Sequence, residues 1–574
     1  MTGSIKENLK GHVVVAFLLF GLTPLVKIGG MPGFGVPRFI MLAVVAACAV
    51  VGCAAAAVRR EEARVRLTPM DGFFAVFYAL YLISYMASVD AGVSFTAVLN
   101  EFVFPALYVL FRVLMSGSVA GSFCRAAALS AAFAALALSL WGQLQYFFDI
   151  DVPGSLKALF KTHHFPVIAS LGNPNFLAEV LTLSLPSAAV FMNQSRRPSA
   201  AAVLIVLMGL TVFLTYSRLA WFVFLLLLSL LVLGAPVGKK KPAAAALGLV
   251  VALWAGFFTY HSVTGSTKTA RVVKSFSLAS GSPLLDRAVI YGSSLAMLRD
   301  AGFAGMGPGM FGQRYLEYQG DFIRGHPRGV DIKRLVDLDH AHSDVLETGI
   351  DSGYPAMAVY ALLLGAGSLA GLRRFFRGKG REPADPFYLL PLGFTLFSLF
   401  AFPFFIPQSR LIFCLGFAFL AARRGRGVDL RAGRRLLACA ALTTVLCFAW
   451  PYGRLMLSNF HYIRGLAFFG RDFDRAFDRF GRGIAAYPYN GLNYFSMGAL
   501  LLNAGSPAGL RYMEESRRFM SSSSTALYLA RGYRGHGRDE DARRWDRFIR
   551  RNRPDLLPRV AGEKEVIDGG RAGE

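Results

Sequence analysis

The chain has 574 residues, 54% of them hydrophobic and only 17% charged, with a mean hydropathy of +0.45. That balance excludes an ordinary soluble enzyme of this size and points to a protein built to sit in lipid. The formal net charge of +25 does not imply a nucleic-acid partner, because no nucleic-acid-binding fingerprint accompanies it and cationic loops beside membrane spans account for the excess.

In chain order, apolar runs of roughly 17 to 25 residues, the length that crosses about 30 Å of hydrocarbon, predict twelve or thirteen helices. They fall near 12–28, 38–58, 70–88, 95–115, 123–148, 176–192, 199–215, 218–234, 242–260, 353–371, 386–404, 408–422 and 435–451. The first run has a basic start (Lys6, Lys10) but no small-residue cleavage site, so it reads as a retained helix. The pair around Pro403 and Pro407 reads as one broken helix or a re-entrant hairpin. Cations gather at Arg59 to Arg66, then at Arg112 and Arg125, Arg196 and Arg197, Lys239 to Lys241, Arg373 to Lys379, and Arg423 to Arg435. These are alternate loops, which the positive-inside rule makes cytoplasmic together with the N-terminus. The loop of residues 262–350 and the chain beyond 451 then face outward.

The expected fold class is therefore an all-α polytopic membrane protein. Its expected divisions are N-terminal spans (1–261), a large outward loop (262–352), further spans (353–451), helical repeats (452–557) and a disordered tail (558–574). Six cysteines (Cys48, Cys53, Cys124, Cys414, Cys439, Cys447) lie in or beside apolar spans without a paired CxxC, and read as small core residues. In the 452–557 segment, Ala476, Ala508 and Ala542 recur after polar turns, and Gly498 and Gly532 lie 34 residues apart, each preceded by a tyrosine (Tyr494, Tyr528). That period is a degenerate tetratricopeptide signature; the alternative is an irregular helical cap.

Candidate chemistry collects on the outward side. Arg218, in Thr215-Tyr216-Ser217-Arg218, breaks an apolar stretch too long for one span. Arg287 opens an amphipathic helix of the large loop, and Asp339-His340-Ala341-His342-Ser343-Asp344 closes that loop. Arginine offers phosphate a planar fork of donors and stays charged, so two of them suit a diphosphate; histidine accepts a proton near neutral pH, which suits activation of a hydroxyl. Arg410 is a further outward cation fit to join such a site. Arg218 reads alternatively as a snorkelling interfacial residue, and Arg287 as a partner of Asp286 or Asp300. Asp337-Leu338-Asp339 either orients His342 or His340 or forms a solvated turn. Gly172-Asn173-Pro174-Asn175 reads as a helix entry with Asn as cap.

Four segments resemble the O-antigen ligase and polymerase family of bacterial membrane glycosyltransferases. They are Leu171-Gly172-Asn173-Pro174-Asn175-Phe176-Leu177-Ala178; Ser217-Arg218-Leu219-Ala220, with Leu219 where glycine is common; Gly305-Met306-Gly307-Pro308-Gly309-Met310-Phe311; and Ala341-His342-Ser343 followed at family spacing by Gly353. The resemblance covers residues 170 to 360 and implies a GT-C class bundle in the bacterial inner membrane. It implies a glycan moved from an undecaprenyl diphosphate donor to an acceptor hydroxyl on a lipid, a glycan or a protein, with inversion and with neither metal nor cofactor. It further implies that His342 is catalytic and that Arg218 and Arg287 hold the diphosphate, a pocket that Arg410 is placed to join. Ser217, His340, Ser343, Asp339 and Asp344 are expected in support, with His340 a second candidate base.

Ligation, polymerisation of repeat units and protein O-glycosylation share this donor and chemistry. A transporter or flippase, or a scaffold presenting repeats to an envelope protein, is the alternative of another class. Neither explains a loop of about ninety residues ending in histidine.

Overall fold

The computed structural model describes residues 11–26, 35–58, 62–116, 118–148, 167–264, 283–326, 337–378, 382–423 and 428–557. The tail from 558, expected to be disordered, and the basic residues Lys6, Lys10, Arg59, Arg60 and Lys379 lie outside the described residues. The chain begins with helices α1 (Gly11–Leu25) and α2 (Gly35–Val58). It continues through α3 (Pro69–Met86), α4 (Ala91–Glu101), α5 (Val103–Ser116), α6 (Ala120–Phe148), α7 (Pro174–Gln194), α8 (Pro198–Leu214), α9 (Arg218–Gly234) and α10 (Val237–Val263). Two helices, α11 (Pro283–Ala301) and α12 (Met310–Gly325), occupy the expected large loop. Apolar helices then resume as α13 (Asp344–Gly378), α14 (Leu390–Phe400), α15 (Pro407–Ala422) and α16 (Arg434–Phe468).

Six of these segments are long and apolar enough to cross a membrane, and the shorter apolar helices include Pro198–Leu214, Arg218–Gly234 and Pro407–Ala422. The protein is thus a multi-pass, all-α membrane protein. Leu129, Phe133, Leu136 and Leu140 stand exposed along one side of α6, an apolar surface that water would not tolerate and acyl chains would. The inner side of α6 carries Ala127, Ala128, Ala131 and Ala135, all buried, and Gly142, where a side chain would strike Thr211 and Val167. Small residues let helix backbones approach, which is how helices associate where lipid tails are as apolar as leucine.

One expectation needs amendment. Residues 62–67 and 428–433 pair as a two-stranded antiparallel ladder (β1, Glu62–Leu67; β2, Val428–Gly433), with Val65 opposite Leu430. Each segment alternates polar and apolar residues, the strand period, within stretches that otherwise read as cationic loops. Arg112, expected in such a loop, is instead a buried residue of α5. Its Nε donates to Asp71 at 2.7 Å, and Asp71 also forms the capping box of α3 with Thr68.

The two prolines near 403 mark a turn between α14 and α15 rather than one broken helix, with a short 3₁₀ segment at Pro403–Phe405. Beyond the bundle follow α17 (Phe473–Ala486), α18 (Gly491–Asn503), α19 (Ala508–Phe519), α20 (Ser523–Gly535) and α21 (Asp539–Asn552). Asp472, Asn490 and Ser522 cap three of them by accepting backbone N–H groups. α16 packs on α17, α18 on α19 and α20 on α21. Gly498 and Gly532 both sit where a side chain would strike α19, at Met513 and Leu510 respectively.

Candidate functional site

The site is organised by the first two turns of α13. Asp344, Glu347 and Asp351 recur at i, i+3 and i+7, which places them on one helical face, and all three are buried. Each secures a different stretch of chain. Asp344 accepts the Ser398 hydroxyl at 2.8 Å and the Phe404 N–H at 3.0 Å, and so holds the turn between α14 and α15. Glu347 accepts the Ala341 N–H at 2.8 Å and lies 2.8 Å from Nδ1 of His340. Asp351 accepts the N–H groups of Gly309 (2.7 Å) and Phe311 (3.0 Å), capping the start of α12.

This arrangement explains two of the motifs physically. Gly353 breaks α13 with φ +82°, and a Cβ there would collide with the Phe303 carbonyl. Into that break runs the Gly305–Gly309 segment: Met306 N–H donates to Ile350 O at 2.8 Å, and Gly307 N–H to Asp351 O at 2.9 Å. The glycines and Gly353 therefore serve backbone approach, and they fix the height at which the histidine segment enters α13.

His342 takes a left-handed backbone, φ +52°, which costs a non-glycine residue about 1–2 kcal/mol. The Tyr291 hydroxyl donates to the His342 carbonyl at 3.2 Å and accepts from Nη1 of Arg287, also at 3.2 Å. Arg287 donates to the Phe400 carbonyl at 2.7 Å as well. Phe402 lies between the two histidines, its ring 4.6 Å from that of His340 and 5.1 Å from that of His342, and it meets Phe176 at 5.6 Å. Phe176 belongs to the first turn of α7, whose entry is capped by the Asn173 side chain as expected.

The electrostatics favour a neutral imidazole. Burial, then the positive charge of Arg287 and the neighbouring His340, push His342 down to about 4. Burial lowers His340 as well. Glu347 accepts the Ala341 N–H and lies 2.8 Å from Nδ1 of His340; the tautomer that carries its proton on Nδ1 leaves Nε2 as the acceptor. Arg218 opens α9 behind Tyr216, another non-glycine residue in the left-handed region (φ +60°), and lies within electrostatic reach of Arg287.

The structure brings together His342, His340, Arg287 and Arg218, and it relocates other candidates. Arg410 does not face outward: it is fully buried in α15, ion-paired with Glu101. It also donates to the Tyr78 hydroxyl at 2.6 Å and the Phe404 carbonyl at 3.1 Å. Its charge is spent inside the bundle, and a diphosphate at the mouth would not meet it. Asp344, expected beside a histidine, turns to Ser398 and Phe404. Asp337 turns to Arg553 and Ser523 at 2.9 and 2.8 Å, while exposed Asp339 stays near enough to His340 to be felt electrostatically. Ser343 is buried and its carbonyl accepts the Glu347 N–H; Ser217 is buried, its backbone N–H held by Thr215. Asp300 takes the Tyr318 hydroxyl at 2.6 Å.

Sequence reasoning missed Glu347, Tyr291 and Phe402. The spacing of Glu347 from Asp344 and Asp351 on one helix face was the available signal for the first; the other two carry none, because they arrive from distant segments.

The chain is a multi-pass helical membrane protein in which two imidazoles and two guanidiniums gather beside the entry to α13. Residues 203–361 match the family described as O-antigen ligase. That stretch holds Arg218, Arg287, both histidines and Gly353. No curated protein matches the chain.

Proposed function

We propose that the protein transfers a glycan from undecaprenyl diphosphate to an acceptor hydroxyl at the outer face of the bacterial inner membrane, in the manner of an O-antigen ligase. The supporting observation is a single constellation: an imidazole pushed down to about 4, hence unprotonated at neutral pH, at a left-handed bend that Tyr291 links to Arg287. In this reading the acceptor oxygen bonds to the anomeric carbon as the carbon–oxygen bond to the diphosphate breaks. The hydroxyl proton passes to His342, and the charge left on the departing diphosphate is met by Arg218 and Arg287. One displacement inverts the sugar carbon, and two guanidiniums do the electrostatic work that a metal does elsewhere. The bundle is then of the GT-C class, with the loop and the C-terminal helices outward.

A second assignment within the same reading makes His340 the base. The Glu347 carboxylate at 2.8 Å is what favours it, since a buried acid that fixes one ring nitrogen orients the other as acceptor. The test is transfer by purified protein in lipid nanodiscs from a lipid-linked donor, with donor binding measured separately. His342→Ala is expected to lose about 10²- to 10⁴-fold in turnover with donor binding retained. Full transfer by His342→Ala together with loss by His340→Ala would move the base to His340; full transfer by both variants would remove the mechanism.

A further inference from the structure

The C-terminal helices do not hang from the bundle; they are fastened to it at three places. The first is α4, where Arg518 pairs with Asp90 at 2.8 Å and Tyr489 packs so closely on Gly92 that a side chain there would collide with it. The second is α12, where Arg551 pairs with Asp321 at 2.7 Å and Gly320 leaves room for the Asn552 backbone. The third is the chain leading to the histidines. Asp337 accepts from Arg553 Nη1 at 2.9 Å and from both the N–H and the hydroxyl of Ser523 at 2.8 Å.

The third attachment differs from the others in burial and in position. Arg553 is 9% exposed and has a second carboxylate, Asp555, at 2.9 Å, so its guanidinium is fixed before it meets Asp337. Asp337 precedes His340 by three residues and His342 by five. Between the two histidines the chain is pinned by Glu347 through Ala341 N–H, and just past His342 it enters α13 at Asp344. The segment 338–342 is therefore stretched between two anchors, one supplied by the bundle and one by the C-terminal helices. A left-handed bend at His342 persists only where its surroundings hold it, and a segment anchored at one end alone can relax that bend.

We propose that the C-terminal helices are a positioning device for the histidine segment, acting through Arg553 and Ser523 on Asp337. This rests on the transferase reading above. Arg553 and Asp337 are positioning residues: they hold the imidazoles at the height of Arg287 and leave donor binding to the arginines. Recruitment of an envelope partner by the repeats is not needed to explain why these helices are attached to the domain.

The experiment uses the full chain in nanodiscs and the variants Asp337→Asn and Arg553→Lys, which keep size, beside Arg553→Ala. Turnover, donor KM and hydrogen exchange at the Ala341 amide are measured for each. Turnover is expected to fall on the order of ten- to a hundredfold for Arg553→Ala and less for Arg553→Lys, with donor KM within about twofold and faster exchange at Ala341. Unchanged turnover in Asp337→Asn and Arg553→Ala overturns the proposal, as does a fall in turnover with exchange at Ala341 unaltered. His342→Ala runs alongside: if it transfers normally, the transferase mechanism has failed, and the exchange data still report whether the C-terminal helices hold the segment.

Discussion

Two arginine environments in this bundle look alike in sequence and are opposites in structure. Arg410 lies near the start of an apolar run and Arg287 near the start of an amphipathic helix, and each reads as an outward cation. Arg410 is sealed, with Glu101 as counter-ion, Tyr78 and Phe404 as hydrogen-bond partners, and the Phe404 ring 3.3 Å from its guanidinium carbon. Arg287 spends its donors on a hydroxyl and a carbonyl, and its charge is felt by two other basic groups, Arg218 and His342. Neighbours from distant segments decide which arginine closes a structure and which presents a charge. Glu101 lies some three hundred residues before Arg410 in the chain, so no local pattern announces the pair.

The comparison can be broken by substitution. Arg287→Ala is expected to reduce kcat/KM for transfer by about 10²- to 10³-fold, the scale of losing one donor to developing charge, while the melting temperature stays close to the parent's. Arg410→Ala should do the reverse. Leaving Glu101 buried without its partner costs about 3–5 kcal/mol, read as a lower thermal midpoint in detergent, while protein that remains folded binds donor as the parent does. Equal effects of the two variants on donor affinity would erase the distinction.

A smaller effect concerns pH. A base lowered to about 4 is unprotonated at every pH above that, so the acidic limb of turnover should lie near 4 to 5 rather than near the usual 6.5. Arg287→Gln removes one of the charges that depress His342, and its limb should move upward; an unmoved limb in that variant would separate Arg287 from the base. The smallest expected change is none: chelation of divalent ions should leave transfer at the parental rate, because the proposed scheme takes its positive charge from guanidinium groups.

Much of the fold was legible because lipid simplifies the code. Each expected span corresponds to an apolar helix, and the Asn173 cap and the Tyr216 turn fall where Gly-Asn-Pro-Asn and Thr-Tyr-Ser-Arg place them. The β1–β2 ladder escaped because its strands are more than three hundred residues apart and short. At the site, His342 and Arg287 were readable as residue types at the right ends of elements. Arg410 and Asp344 were misplaced for one physical reason: a charged residue near the end of an apolar run is outward or inward according to whether a partner awaits it. The role of Asp337 was hidden likewise, since Arg553 lies 216 residues downstream.

The carboxylate of Asp351 has a consequence in time. The amides of Gly309 and Phe311 leave the ribosome before it, and the bond to Gly309 spans 42 residues of sequence. Until α13 has been synthesised and inserted, the turn at the start of α12 lacks its acceptor, and the glycines that suit the finished contact leave it slack. The entry to α12 thus waits for the helix that follows it in the chain, and this part of the site is assembled only once α13 is present.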